Sequence, residues 1–227
     1  MNASYSYPVF LRIEGKPCLV VGGGRVAHRK TLDLLECGAS VTVVAESAAP
    51  EMTELEKQGK IRLLERRAEP EDVLGAFLVF GATDDDGLNA SICDAARAEG
   101  ILVNAVDNPS KSDLGSPDFA KQNPGCLFTS GAVVKRGPLR IAISTSGCSP
   151  LIATSIRREL EERYGESFGA YIACAGELRC RILSLACPLE RKDEALRWIA
   201  GGSAFNLFLG EGREGVWNEV RKILFSS

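Results

Sequence analysis

The sequence of 227 residues predicts an α/β protein in which a parallel sheet is followed by a helical C-terminal region. Short apolar runs alternate with amphipathic segments over the first hundred residues, as in sheets covered by helices on both faces. Three consecutive glycines, Gly22 to Gly24, separate the first apolar run from the first amphipathic segment. From Glu166 onward the apolar spacing is helical throughout.

The individual elements follow from apolar spacing and from the residues that start and stop helices. β-Branched or continuous apolar runs predict strands at 17–22, 40–45, 61–65, 77–82, 101–106 and 139–145. Helical spacing bounded by glycine or proline predicts helices at 25–37, 50–58, 88–99 and 149–165. The segment 108–125 carries three prolines and two glycines, which predicts a long loop.

Composition and charge exclude several classes of protein. The net charge of −3 and the absence of a basic cluster argue against a nucleic-acid partner. No apolar run is long enough for a membrane span and no secretory signal is visible, so a cytoplasmic protein without a membrane partner is expected. His28 is the one histidine and no Cys-x-x-Cys pair occurs, so no metal site is expected and an acid–base group is sought among the carboxylates.

The glycine run matches a dinucleotide-binding fingerprint of the form Gly22-x-Gly24-x-x-Ala27. In this fingerprint Gly22 makes the tight turn, Gly24 lets the pyrophosphate approach the backbone, and Ala27 keeps helix and strand close. Taken alone, such a turn can be purely structural. Because it lies between a buried strand and a helix and is followed by a second strand, it predicts a Rossmann-type sheet with a dinucleotide at the helix N-terminus.

Two further positions are candidates for the same cofactor. Glu46 follows the second strand, 24 positions after Gly22, where an acidic residue binds the adenosine ribose; the alternative is a solvated loop carboxylate. No arginine comes directly after that strand, which favours NAD over NADP. Thr83 follows a later strand and can face the cofactor, whereas Asp84 to Asp86 are interpreted as the start of a helix.

Asp107 is the candidate acid–base residue. It follows the strand predicted at 101–106, at the sheet edge where the nicotinamide end of a cofactor lies. A carboxylate there can accept a proton as a hydride departs. The alternative, that Asp107 caps the turn before Pro109, has equal weight on spacing alone.

Four stretches in order give a more specific signal than the glycines alone: YPVFLRIEGKPCLVVGGGRVAHRKTLDLLECGASVTVVA, ATDDDGLN, VNAVDNP and KRGPLRIAISTSGCSPLIATSIRRELE. Together they resemble the precorrin-2 dehydrogenase family, including the amino-terminal module of sirohaem synthase. The resemblance implies NAD-dependent oxidation of precorrin-2 to sirohydrochlorin in sirohaem biosynthesis, followed in some members by iron insertion. It implies a catalytic role for Asp107 and cofactor contacts from Gly22, Gly23, Gly24, Arg25, Val26, Glu46 and Ser47.

The resemblance also implies a division of the chain. Residues 1–107 are expected to form the NAD-binding domain, 108–164 a linker with dimerisation and substrate-facing parts, and 165–227 a helical C-terminal domain that pairs two copies into a homodimer. The tetrapyrrole substrate carries many carboxylates, so its pocket needs cations. The candidates are Lys135, Arg136, Arg140 and Arg157.

Two alternatives stay open. The chain can instead be a non-catalytic dimeric module that senses NAD(H) or another nucleotide, although such a sensor has no need of a carboxylate at Asp107. Iron or cobalt insertion is expected to be slow or absent, because the chain has one histidine and no metal-ligand cluster. The run Thr129 to Gly131 also departs from the family pattern, which affects the wall expected to face the substrate.

Overall fold

The computed structural model describes residues 6–105 and 126–225. Within these ranges the chain forms two compact units. The first contains the residues up to Ser130 together with Ser146–Ser149, and the second contains Gly131–Thr145 together with the residues from Pro150 onward. The three-part division expected from the sequence stays a prediction.

The first unit is built on a sheet of five parallel strands in the order β3-β2-β1-β4-β5. Its elements are β1 (Pro17–Val21), α1 (Arg25–Glu36), β2 (Ser40–Ala45), α2 (Pro50–Lys57), β3 (Ile61–Glu65), β4 (Leu78–Gly81), α3 (Asp86–Ala98) and β5 (Leu102–Ala105). A short 3-10 turn, Pro70–Val73, lies in the connection from β3 to β4. The predicted Rossmann-type sheet is therefore confirmed, with strand ends that differ by at most one residue from the prediction.

Helices cover both faces of this sheet because its strands are apolar on both sides. On one face Val20 and Val43 pack with Ala27 of α1 in a continuous apolar cluster. On the other face Val21 packs with Ile92 of α3. The chain places β2 and β3 on one side of β1 and then crosses to place β4 and β5 on its other side. This change of direction between β1 and β4 opens a crevice at the carboxyl edge of the sheet.

The second unit combines a β-hairpin with four helices in its described part. The strands β6 (Ala132–Arg136) and β7 (Leu139–Ile143) are antiparallel. The helices are α4 (Pro150–Arg163), α5 (Glu166–Ser184), α6 (Leu189–Ile199) and α7 (Gly202–Phe225), the last kinked at Gly212. The helical C-terminal region is confirmed, whereas β6 was not predicted. No helix in the described ranges is both long and apolar enough to cross a membrane.

The helical core of this unit is apolar with one buried hydroxyl. Leu178 and Ile182 of α5 and Val216 of α7 are completely buried. The Tyr171 hydroxyl donates a hydrogen bond to the carbonyl of Ile199 and joins α5 to the end of α6. Burial raises the pKa of Tyr171 to about 12, so this donor stays protonated over the physiological range.

The hairpin packs closely against α5 at Gly169. A Cβ atom on Gly169 would lie 2.6 Å from the carbonyl carbon and oxygen of Arg136 and 2.9 Å from the amide nitrogen of Gly137. The neighbouring atoms are backbone and cannot move aside as a flexible side chain can. Gly169 is therefore required by packing, whereas a Cβ on Gly176 of the same helix meets nothing within 4 Å.

These two glycines give a matched test of the packing. Gly169→Ala is expected to lower the free energy of unfolding by about 1 to 3 kcal/mol, because the hairpin and α5 must separate. Gly176→Ala is expected to raise it by about 0.5 to 1 kcal/mol, because alanine loses less conformational entropy in a helix. Thermal unfolding followed by circular dichroism measures both changes. Equal changes of the same sign would contradict the proposed packing.

Candidate dinucleotide site

Gly22 makes a turn that no other residue fits. Its φ of +121° lies in the region that favours glycine. Its amide donates to the Val44 carbonyl (2.9 Å), and the amide of Ala82 donates to the Val21 carbonyl (2.7 Å). A Cβ on Gly22 would lie 2.3 Å from the carbonyl oxygen of Ala82. The turn is thus held between the ends of β2 and β4 and has no space for a side chain.

Gly23 is required by a second close approach. A Cβ at this position would lie 2.0 Å from the carbonyl oxygen of Ser47. The amide of Ala49 donates to the carbonyl of Gly23 (2.9 Å), so the loop after β2 lies directly on the turn. The first two glycines therefore serve protein packing, and the cofactor contacts expected at Gly23 and Ser47 stay predictions.

Gly24 is different because the space beside it is open. A Cβ on Gly24 meets nothing within 4 Å, and the residue is the exposed N-cap of α1 with φ −83°. No side chain caps this helix and its first turn, which begins Arg25-Val26, contains no acidic residue. The first amides of a helix have no partner within the helix and carry partial positive charge, which suits a phosphate. The residues present therefore fit a dinucleotide pyrophosphate.

Charged residues from three loops meet at the carboxyl edge of the sheet. Glu46 follows β2 directly, and its carboxylate lies 3.5 Å from Nη1 of Arg67. Nη2 of the same guanidinium lies 3.0 Å from the carboxylate of Asp85 at the start of α3. Arg67 was not predicted as a site residue because it does not directly follow β2. The available signal was its position just after β3, which ends at the same sheet edge as β2.

Thr83 shapes the loop between β4 and α3. Its hydroxyl lies 2.8 Å from Oδ1 of Asn89, and Nδ2 of Asn89 donates back to the Thr83 carbonyl (2.9 Å). Asp85 caps α3 by accepting from the amide of Leu88 (3.0 Å), which confirms the interpretation of the acidic run as a helix start. That hydrogen bond, with the charge of Arg67, lowers the pKa of Asp85. The role of Thr83 toward a cofactor stays a prediction.

Lys30 is a buried cation whose burial was not predicted from the sequence. It lies on α1 with 7% of its surface exposed, and its Nζ donates to the hydroxyl of Ser130 (2.7 Å). The ammonium also lies over the ring of Phe80, 5.1 Å from its centroid. Lys30 therefore joins the helix that starts at the glycine turn to the chain that runs along β5, where the amide of Leu127 donates to the Val103 carbonyl (2.9 Å).

The four substrate-binding candidates belong to the second unit. Asp107 is outside the described residues; β5 ends two positions before it, at Ala105. Of the candidate cations, Lys135 and Arg140 are directly opposite each other on the hairpin.

Arg136 and Arg157 each contact a carboxylate within the second unit. Nε of Arg136 lies 3.4 Å from Glu166, and Nη1 of Arg157 lies 2.6 Å from Glu161. Over residues 6–105 and 126–225, no group of three or more His, Cys, Asp or Glu side chains is arranged to hold a metal ion.

Comparisons with known proteins agree with this geometry. A family model described as NAD(P)-binding matches residues 9–118, and a second, described as sirohaem biosynthesis protein central, matches residues 136–163. The solved structure of SirC, a precorrin-2 dehydrogenase, superposes with a TM-score of 0.76 and 29% identity, covering 96% of this chain and 100% of that one. The chain is therefore similar to a precorrin-2 dehydrogenase over nearly its whole length, and its two matched segments belong to NAD(P)-binding and sirohaem biosynthesis families.

Two curated relatives are more similar to the chain in sequence. It is 41% identical over 198 residues to a siroheme synthase of Methylococcus capsulatus, covering 87% of this chain and 39% of that protein. It is 33% identical over 219 residues to siroheme synthase 3 of Aeromonas hydrophila, covering 96% of this chain and 44% of that protein. The chain therefore spans about two fifths of the length of these relatives.

The open space at Gly24 gives a direct test of the cofactor site. Gly24→Asp is expected to fold, because its backbone angles suit aspartate and an N-cap aspartate favours the helix. The variant is expected to lose NAD binding, because the new carboxylate repels the pyrophosphate. Gly24→Asn has nearly the same shape without the charge, and calorimetric titration should show NAD binding roughly tenfold or more tighter than in the aspartate variant.

Unchanged NAD affinity in Gly24→Asp would remove the glycine turn from the cofactor site. Equal losses in the aspartate and asparagine variants would show that size rather than charge decides. The thermal unfolding midpoints of both variants serve as the control for folding.

Proposed function

We propose that this chain oxidises precorrin-2 to sirohydrochlorin with NAD as the hydride acceptor. The open, uncapped N-terminus of α1 at Gly24, beside the reversal of the sheet connection, is the observation that carries the proposal. Similarity to SirC, a precorrin-2 dehydrogenase, narrows the proposed chemistry to tetrapyrroles. The reaction removes one hydride and one proton from the substrate, so it needs a hydride acceptor and a base.

Residues of the first unit would hold NAD in a defined direction. The amides at Gly24, Arg25 and Val26 would bind the pyrophosphate, and Glu46 would accept hydrogen bonds from the ribose hydroxyls. NAD over NADP is favoured because the carboxylate of Glu46 repels a 2′-phosphate. The nicotinamide, when bound, supplies the acceptor for the hydride.

Asp107 is the proposed base. Its position in the sequence, two residues after the end of β5, supports this role, because ligands of doubly wound sheets collect at the carboxyl ends of the strands. An ionised carboxylate there would take the proton that the substrate releases as its hydride leaves.

The hairpin of the second unit would contribute cations for the substrate carboxylates. Lys135 and Arg140 are directly opposite each other across β6 and β7. Like charges in this arrangement repel, and an anionic substrate relieves the repulsion. Arg136 and Arg157 are further candidates, and each also contacts a carboxylate within the unit.

Asp107→Ala tests the proposed chemistry. The variant is expected to keep NAD binding and to lose most of its dehydrogenase activity, by roughly 100-fold or more, because no carboxylate receives the proton. Asp107→Asn keeps the shape without the base and is expected to be equally inactive. Precorrin-2 is mixed with NAD and the protein, and NADH absorbance is followed.

The wild type should form one NADH for each sirohydrochlorin. Full activity in both Asp107 variants would overturn the assignment of the base. NAD binding without any turnover in the wild type would favour the nucleotide-sensing alternative. Slow or absent iron and cobalt insertion remains part of the proposal, since the described residues offer no metal-ligand cluster.

We further propose that two copies of the chain form a homodimer in which α4 is covered. The first two turns of this helix expose apolar side chains, with Leu151 82%, Ile152 56% and Ile156 38% accessible. Exposed apolar groups of this kind on one element are a common sign of an interaction surface. The same region of the chain matches the family model for the central part of sirohaem biosynthesis proteins.

Leu151→Glu should dissociate this dimer, because a charge would be buried without a partner. Leu189 at the start of α6 is similarly exposed, at 78%, and lies on another helix, so Leu189→Glu is the matched control. Sedimentation velocity over a concentration series should show a monomer for the first variant and a dimer for the control and the wild type. A monomeric wild type would refute the dimer, and a dimeric Leu151→Glu would refute this interface.

A further inference from the structure

We propose that Arg67 determines cofactor specificity together with Glu46. In the wild type, Arg67 holds the carboxylate of Glu46, which accepts hydrogen bonds from the ribose hydroxyls. When a neutral residue replaces Glu46, the guanidinium of Arg67 is released and binds the 2′-phosphate of NADP. The inference rests on the proposed NAD site. It concerns a residue for which neither the glycine fingerprint nor the position after β2 gives a role.

The geometry joins three loops through one side chain. Nη1 of Arg67 lies 3.5 Å from Glu46, and Nη2 lies 3.0 Å from Asp85. The three residues follow β2, β3 and β4, which all run in the same direction, so the guanidinium spans the edge where the adenosine half of a dinucleotide lies.

The two contacts of Arg67 differ in strength. Asp85 is fixed, because its carboxylate also accepts from the amide of Leu88 at the start of α3. The contact with Glu46 is longer and lies between two side chains that are each 64% exposed. Exposed ion pairs are weak, so a ligand anion can replace one. Asp85 therefore holds the guanidinium in place through Nη2, and Nη1 is the nitrogen that can exchange Glu46 for a ligand anion.

The charge of the side chain at position 46 decides which ligand Nη1 of Arg67 binds. With Glu46 ionised, its carboxylate repels a 2′-phosphate and occupies the guanidinium. With a neutral residue there, the repulsion disappears and the planar guanidinium is available, and phosphate is an anion that arginine binds well.

The neighbouring Arg66 provides a matched control on the same chain. Its side chain is 45% exposed, and both terminal nitrogens contact the carboxylate of Asp72. That contact lowers the pKa of Asp72, which keeps the pair ionised at neutral pH. Arg66 is therefore held by a bidentate partner of its own, and its removal is expected to leave cofactor choice unchanged.

The experiment measures binding rather than turnover. NAD, NADP, ADP and 2′,5′-ADP are titrated calorimetrically into the full chain as wild type and as the variants Glu46→Gln, Glu46→Gln/Arg67→Met and Glu46→Gln/Arg66→Met. Glu46→Gln is expected to bind NADP and 2′,5′-ADP roughly tenfold more tightly than the wild type does. The added Arg67→Met should cancel this gain, and the added Arg66→Met should keep it. Glu46→Ser repeats the test with a second neutral residue.

An equal gain with and without Arg67 would overturn the proposal, as would a gain that depends on Arg66. Failure of the wild type to bind either NAD or ADP would overturn the cofactor site itself, and with it this inference. NAD binding by the wild type with no gain in either Glu46 variant would overturn the role of Arg67 alone.

Discussion

The candidate site depends on one steric constraint, which is the absence of side chains at Gly22 and Gly23. The turn is held between the Ala82 carbonyl on one side and the Ser47 carbonyl on the other, with 2.3 Å and 2.0 Å to the positions that Cβ atoms would occupy. Any side chain there would separate the ends of β1, β2 and β4. Because the turn is closed by protein on two sides, the space that stays open is beside Gly24, at the start of α1.

The strand order converts this turn into a site with two chemically different ends. Helix α1 covers one face of the sheet and α3 the other, so the loops after β2 and β4 meet beside the glycine turn. At the turn the favourable groups are helix amides, which suit a phosphate. At the same edge of the sheet lie the carboxylate of Glu46 and the guanidinium of Arg67, which we propose contact the ribose. In the proposed site, packing and charge would favour the same orientation of a dinucleotide.

The sequence allowed the fold of the first unit to be predicted almost completely, because buried parallel strands and amphipathic helices have local periodicities. The strands at 40–45 and 61–65 were predicted to the residue. Strand β6 was missed because its short run between Gly131 and Gly137 has no clear alternation and depends on pairing with β7 and on packing against Gly169. Arg67 and Lys30 were missed for a related reason. Their contacts, with Glu46 and Ser130, join residues 21 and 100 positions apart, which spacing along the chain does not reveal.

The claim that NAD lies on the helix start at Gly24 can be tested most directly by NMR. The amide chemical shifts of the full chain are followed while NAD is added, with a titration of nicotinamide mononucleotide as the comparison. The account predicts that NAD causes its largest shifts at the amides of Gly24, Arg25 and Val26, with smaller shifts at Glu46 and the loop that contains Thr83. Shifts confined to the second unit, or no shifts at the glycine turn at saturating NAD, would contradict it.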